Sequence, residues 1–182
     1  MHIETNRLIL KNYLIENIQD YYLLKSCEAV WKYSTNKVIN DIDIIRNQLN
    51  ELIINQEKDN IGFCAVFEKA SNNYIGEAGI LSINKTANRC IIGYNFLPSF
   101  WNLGYATEIT KALVQYAFHI LDVERVEALA MLLNTASCRV LEKSGLLKEG
   151  ILKHFSKIDE NYYDVVYYGI VREDYNFIEH ET

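Results

Sequence analysis

The chain predicts a single mixed α/β domain, one mostly antiparallel sheet flanked by about four helices, and three observations carry that expectation. First, the hydrophobic pattern switches between short apolar runs and a 3.6-residue period in the order β-α-α-β-β-β-α-β-α-β-β. Second, two consecutive strand-to-strand connections are short and polar, the mark of an antiparallel meander. Third, the 182 residues hold one proline and eight glycines, with no repeat and no linker-like stretch. That length suits one domain and buries a core without disulfides.

Taken in order, residues 7–11 (RLILK) are apolar enough for a first strand. Ile15, Ile18, Tyr21, Tyr22 and Leu24 then recur at helical spacing, which predicts an amphipathic helix over 15–29. The polar run Ser34-Thr35-Asn36-Lys37 interrupts it. Asp41 is suited to cap a second helix whose core face is Ile42, Ile45, Leu49, Leu52 and Ile53. Residues 63–67 (FCAVF) are apolar on both faces, as an interior strand requires. Strands over 74–83 and 90–97 follow, separated by the turn signals Asn72-Asn73 and 84–88. Ala106, Ile109, Leu113, Tyr116 and Ile120 mark the buried face of a long helix. A strand over 126–133 comes next, then a short helix capped by Asn134 and stopped by Gly145. Strands over 147–157 and 163–171 close the domain, residues 1–173, leaving a polar tail over 174–182.

Composition removes several function classes. A net charge of −6, with 18 scattered basic residues, opposes direct binding of nucleic acid. Cys27, Cys64, Cys90 and Cys138 lie far apart without a C-x-x-C pair, so a metal centre is not expected. No apolar run has the roughly 18 residues of a membrane helix and no basic-then-apolar leader opens the chain, so a cytoplasmic location is expected.

Chemistry is expected at the strand-to-helix junction 97–108, LPSFWNLGYATE. A helix N-terminus offers unpaired N–H groups and the positive end of the macrodipole, a ready seat for phosphate. Gly104 removes a side chain where a ligand would approach the backbone. An ordinary structural turn accounts for the same residues. The segment is neither a P-loop nor a dinucleotide fingerprint, since G-K-[ST] and G-x-G-x-x-G are both absent.

Several ordered motifs resemble one family. Gly93-Tyr94, Trp101 and GYATE at 104–108 are similar to the acyl-CoA-binding motif of GNAT-type N-acetyltransferases, more narrowly of the subgroup containing ribosomal-protein N-terminal acetyltransferases. Glu4-Thr5-x-Arg7-Leu8-x-Leu10, Asn134-x-x-Ser137-x-x-Val140-Leu141-Glu142-Lys143-x-Gly145, Glu149-Gly150 and Tyr163-Asp164-Val165-x-x-Tyr168 match in the same order. The resemblance covers nearly the whole chain. It implies a sheet that splays after the 90–97 strand, with acetyl-CoA in the opening and no metal. Its pantetheine would pair near Phe96 and Leu97. Its pyrophosphate would rest on the N–H groups of Asn102, Leu103, Gly104, Tyr105, Ala106 and Thr107. The reaction implied is direct acetyl transfer to a primary amine, a protein N-terminus or a small amine, and a homodimer is compatible with the subgroup.

The same resemblance assigns Ser137 to the neighbourhood of the sulfur and Asn134 to orienting the pantetheine or Ser137. An N-cap and first-turn pair explains both residues equally. Lys143 could reach a CoA phosphate or simply face solvent. Asn102 stands where the subgroup often has glycine, and Asn tolerates left-handed dihedrals best among the other residues. Ile91 stands where an acidic residue is often found, leaving Glu77, Glu149, Glu160 and Asp164 as carboxylates with none preferred by spacing. Trp31 and Tyr33, expected in an irregular stretch between the first two helices, are the candidates for acceptor contacts. Ile91 also leaves open a catalytically silent acyl-CoA-binding sensor or interaction module.

Overall fold

The computed structural model describes residues 1–175. Eight strands form one sheet: β1 (His2–Glu4), β2 (Leu8–Lys11), β3 (Gly62–Glu68), β4 (Tyr74–Asn84), β5 (Arg89–Phe96), β6 (Arg125–Met131), β7 (Leu147–Ile158) and β8 (Asn161–Val171). Their spatial order is β1-β2-β3-β4-β5-β6-β8-β7. Every neighbouring pair is antiparallel except β5 with β6, which run parallel. The expected mixed, mostly antiparallel sheet is present, with His2–Glu4 added as an edge strand that the local pattern did not predict.

The helices are α1 (Ile18–Lys25), α2 (Glu28–Trp31), α3 (Ile42–Asp59), α4 (Tyr105–His119) and α5 (Thr135–Lys143). The helix predicted over 15–29 is therefore broken. A 3-10 turn occupies Ile15–Asn17, and α1 ends at Ser26, whose Oγ donates to the Tyr22 carbonyl at 2.8 Å. A serine hydroxyl bonded to its own turn competes with helix continuation. Asp41 caps α3 as expected, accepting from the Asp43 and Ile44 N–H groups. Gly145, at φ 91°, ends α5 in the left-handed conformation that favours glycine at this position.

Residues alternate between the two faces of the sheet, and each face has its own core. Leu8, Leu10, Val66, Ile75, Ile92 and Phe96 pack toward α4 with Ile109 and Leu113. Tyr13, Tyr21, Leu24, Trp31, Ala65 and Phe67 pack on the other face with Ile45 and Leu49 of α3. All four cysteines are free thiols. No helix among the described residues is long and apolar enough to cross a membrane. Of the expected tail 174–182, residues 176–182 lie outside the described residues. Tyr175 is held: its ring stacks on Phe118 with centroids 4.7 Å apart.

Candidate active site in the splayed sheet

The parallel pairing of β5 with β6 covers only Arg89–Arg125, Cys90–Val126 and Ile91–Glu127. Beyond that point β5 runs on to Phe96 and β6 to Met131 without a ladder between them. The sheet therefore opens after residue 91, inside the 90–97 strand and not at its end. Register decides which β5 groups face the opening. The Leu97 N–H donates to the Ile75 carbonyl at 3.0 Å, so residues 93, 95 and 97 bond toward β4. Tyr94 and Phe96 turn their backbone N–H and C=O groups the other way, into the opening. The Phe96 carbonyl accepts from the Trp101 indole at 2.6 Å, and both Leu97 groups are engaged, its carbonyl by the Phe100 N–H. The strand edge that faces the opening thus lies at Tyr94 and Phe96, with the Phe96 carbonyl taken by Trp101, whereas Leu97 of the Phe96–Leu97 expectation bonds toward β4 and its own turn.

At the head of the opening, a 3-10 turn (Pro98–Phe100) leads into α4. Asn102 and Gly104 both take left-handed dihedrals, at φ 59° and 80°. The first intrahelical bond runs from Glu108 N–H to the Gly104 carbonyl. The Tyr105, Ala106 and Thr107 N–H groups precede it and point out of the helix end. Leu103 is half exposed, and Tyr105 is buried. This is the geometry an oxyanion or pyrophosphate seat requires, with the macrodipole favouring negative charge.

The seat is held by the N-terminal segment, a contact no local pattern could show. Glu108, in the first turn of α4, accepts from Thr5 Oγ1 (2.6 Å), from the Arg7 N–H (2.8 Å) and from Arg7 Nε (2.7 Å). Burial alone would raise the Glu108 carboxyl, but these donors hold it below the usual carboxylate range. Arg7 also donates to the Leu103 carbonyl at 3.0 Å and stacks on the Tyr105 ring at 4.5 Å. Tyr105 in turn bonds Glu68 of β3. Arg7 thereby cancels a carboxylate that would repel an anion at the helix end. Thr5 and Arg7 of the Glu4-Thr5-x-Arg7 motif are this clamp, while Glu4 pairs with Lys69.

Across the opening, Asn134 caps α5, its Oδ1 accepting from the Ser137 N–H at 3.1 Å. The capping explanation of the pair is therefore realised, and both residues remain half-buried beside the gap. Tyr94 reaches over from β5, its hydroxyl donating to the Ser137 carbonyl at 3.4 Å. Burial pushes the Tyr94 phenol up to about 12, so it stays protonated and able to donate near neutral pH. Tyr94 carries a role that its place in the Gly93-Tyr94 motif alone did not reveal. Lys143 sits exposed in the last turn of α5.

On the face opposite α4, a cavity of about 500 Å³ is walled by Tyr21 and Lys25 of α1, Trp31 of α2, Lys37, and Glu51 and Leu52 of α3. Trp31 is helical and buried, contrary to its expected loop position, because its indole donates to the Leu24 carbonyl and its ring covers Lys25. It still walls the cavity. Tyr33 is half-buried, 5.1 Å from Lys32 Nζ, and is not among the residues that wall this cavity. The four candidate carboxylates separate clearly. Glu77 is completely buried beneath Lys25. Glu149 pairs with Arg125, Asp164 accepts from Lys153 and the His154 N–H, and Glu160 is exposed beside Lys157.

A family model described as an acetyltransferase (GNAT) domain matches residues 7–147. The chain belongs to the GNAT acetyltransferase family. This GNAT protein is an N-acetyltransferase. It is 28% identical to YoaA, an uncharacterized N-acetyltransferase of Bacillus subtilis, over 93% of this chain and 96% of the relative. It superposes on a GNAT-family acetyltransferase from Bacillus anthracis with a TM-score of 0.84 at 26% identity, covering 95% and 99% of the two chains. At lower identity it shares the fold of the Vibrio cholerae spermidine N-acetyltransferase solved with CoA and spermine (TM-score 0.81, 20% identical, 94% and 99% covered). The same holds for a ribosomal L7/L12 alpha-N-protein acetyltransferase in complex with coenzyme A (TM-score 0.84, 18% identical, 94% and 98% covered).

Proposed function

We propose that residues 1–173 form one acetyltransferase unit that uses acetyl-CoA in the β5–β6 opening and moves the acetyl group directly to a primary amine. The observation that carries this reading is the coincidence of a strand edge that faces the opening at Tyr94 and Phe96 with a clamped, left-handed turn at the α4 N-terminus. A pantetheine arm carries amides that pair with a free strand edge as an added strand does. A pyrophosphate suits the N–H groups of Asn102, Leu103, Gly104, Tyr105, Ala106 and Thr107, and Lys143 is within the same helix layer to meet a phosphate. Bound acetyl-CoA supplies an activated thioester carbonyl.

The chain's own groups then have distinct tasks. The Tyr94 N–H, facing the opening, is positioned to donate to a developing oxyanion. The Ser137 hydroxyl and Tyr94 phenol are donors beside the expected place of the sulfur, and Asn134 fixes the α5 terminus that presents Ser137. The acceptor amine approaches from the opposite face through the Lys25–Trp31 cavity. A protein N-terminus or a small amine fits this description, in line with the ribosomal-protein and spermidine acetyltransferases that share the fold. The test is release of free thiol from acetyl-CoA with a panel of amines, together with the melting temperature in saturating CoA. A ligand that binds only the folded protein must raise that temperature. CoA stabilisation without turnover of any amine would favour a silent acyl-CoA-binding module.

A further inference from the structure

Among the described residues two carboxylates are buried on the acceptor face of the sheet, and both are paired with cations. Glu77 of β4 is fully buried, and its Oε1 accepts from Lys25 Nζ at 3.1 Å and from Asn95 Nδ2 at 2.8 Å. Its Oε2 faces the Tyr13 hydroxyl at 3.5 Å, which is itself bonded to Tyr74. Tyr21 and Cys64 complete the titratable groups that feel its charge. Glu127 of β6, the register partner of Ile91 where the ladder ends, is gripped by Arg89 and by Arg125 at 2.7 Å. Tyr167 donates to it, Cys90 feels its charge, and Arg125 is also paired with Glu149.

Lys25 stands between Glu77 and the cavity. Its ammonium is boxed by the rings of Trp31 (4.5 Å), Tyr21 (4.7 Å) and Phe63 (5.9 Å) and its side chain is 13% exposed. The charged residues walling the cavity are Lys25, Lys37 and Glu51. An arriving ammonium group therefore meets a resident ammonium, while the carboxylate behind it is already occupied. Among the described residues neither buried carboxylate on this face is free to take a proton from the acceptor; the cavity's other carboxylate, Glu51, is exposed at its wall.

We propose that Lys25 is a specificity-determining residue: by capping Glu77 it withholds a base from the acceptor, so the protein selects amines with an appreciable neutral population, α-amino groups over polyamines and lysine side chains. This inference rests on the acetyl-CoA reading above. An α-amine with a pKa near 7.8 is about 300-fold richer in its neutral form at pH 7 than an alkylamine near 10.4. The greater nucleophilicity of the more basic amine returns part of that factor, leaving a preference of about tenfold or more.

The experiment compares kcat/KM from thiol release for a lysine-free peptide with an open N-terminus, for spermidine, and for Nα-acetyl-lysine amide, between pH 6 and 10. Expected is at least a tenfold preference for the peptide at pH 7, with each profile rising one log unit per pH unit and levelling at that acceptor's own pKa. In Lys25→Met, if folded, Glu77 is freed and the ratio of spermidine to peptide activity rises at least fivefold. The inference is overturned if spermidine is preferred by the wild type, or if all acceptors share one inflection, which would mark a resident base. A wild type that shows no melting shift with CoA overturns the cleft reading itself, and this inference with it.

Discussion

Removing the Arg7 side chain should loosen the α4 N-terminus proposed to seat the CoA pyrophosphate, without touching any residue that would contact the ligand through its own side chain. Arg7→Ala deletes the Nε bond to Glu108 (2.7 Å), the bond to the Leu103 carbonyl (3.0 Å) and the stacking on Tyr105. The backbone N–H of residue 7 and Thr5 Oγ1 still reach Glu108. A charge-assisted bond is worth roughly 1.5–3 kcal/mol when shielded, but the Arg7 side chain is 43% exposed, so solvent screening discounts it. With about 0.5 kcal/mol for an exposed cation–π contact, the net loss is about 1–2 kcal/mol. For a chain of this size that is a melting-temperature drop of about 2–8 °C. The assay is thermal unfolding plus CoA titration of Arg7→Ala, Glu108→Ala and the double variant. Expected are a coupling energy near 1 kcal/mol and CoA affinity weakened about tenfold in Arg7→Ala. Additive single effects with unchanged CoA affinity would refute the clamp.

Gly104→Val places a β-branched residue at φ 80° beside Arg7 Nη2, a strain of about 1–2 kcal/mol; CoA binding measured by calorimetry should weaken by about tenfold or more, with the fold retained. Ser137→Ala should lower kcat roughly tenfold or more with CoA affinity nearly kept, because a donor near the leaving sulfur acts in the transition state; wild-type turnover would remove Ser137 from the reaction. For Glu127, burial raises the carboxyl, but bonds from Arg125, Tyr167 and Arg89 outweigh it and hold the group low. Its contribution to stability is therefore present above the unfolded value near 4.3 and is lost as pH falls through the lower folded value. Glu127→Gln should cost about 2 kcal/mol at pH 7, discounted for the partly exposed arginines, and its melting temperature should converge on that of the wild type as acid protonates the folded carboxyl; a pH-independent gap would contradict this.

Much of the architecture was legible because it is written in local period. The α3 face at Ile45 and Leu49, the Asp41 cap, the meander β3–β4–β5 and the closing hairpin β7–β8 follow from patterns a few residues long. The motif at 104–108 likewise placed the α4 terminus correctly. What stayed hidden depends on distance in the chain. The break after α1 turns on one serine hydroxyl, and the edge strand His2–Glu4 exists only because β2 is there to pair with it. Thr5 and Arg7 meet Glu108 about a hundred residues away. Glu77 reads as a surface carboxylate in sequence, yet it is buried because Lys25, Asn95 and Tyr13 converge on it from other elements. Glu127 passed unnoticed within an apolar-looking strand, although it stands opposite Ile91 at the point where the sheet divides.

The central claim is that the opening between β5 and β6 holds acetyl-CoA while an amine on the opposite face takes the acetyl group. The direct measurement is thiol release from acetyl-CoA by the wild-type protein, with mass analysis of the acceptor in the same reaction. The account predicts one acetylated amine per thiol released for a peptide with a free N-terminus, with both products falling together in Gly104→Val. Thiol release without acetylated amine, or none above the buffer rate with any amine in a panel of peptide N-termini, lysine and spermidine, would contradict it.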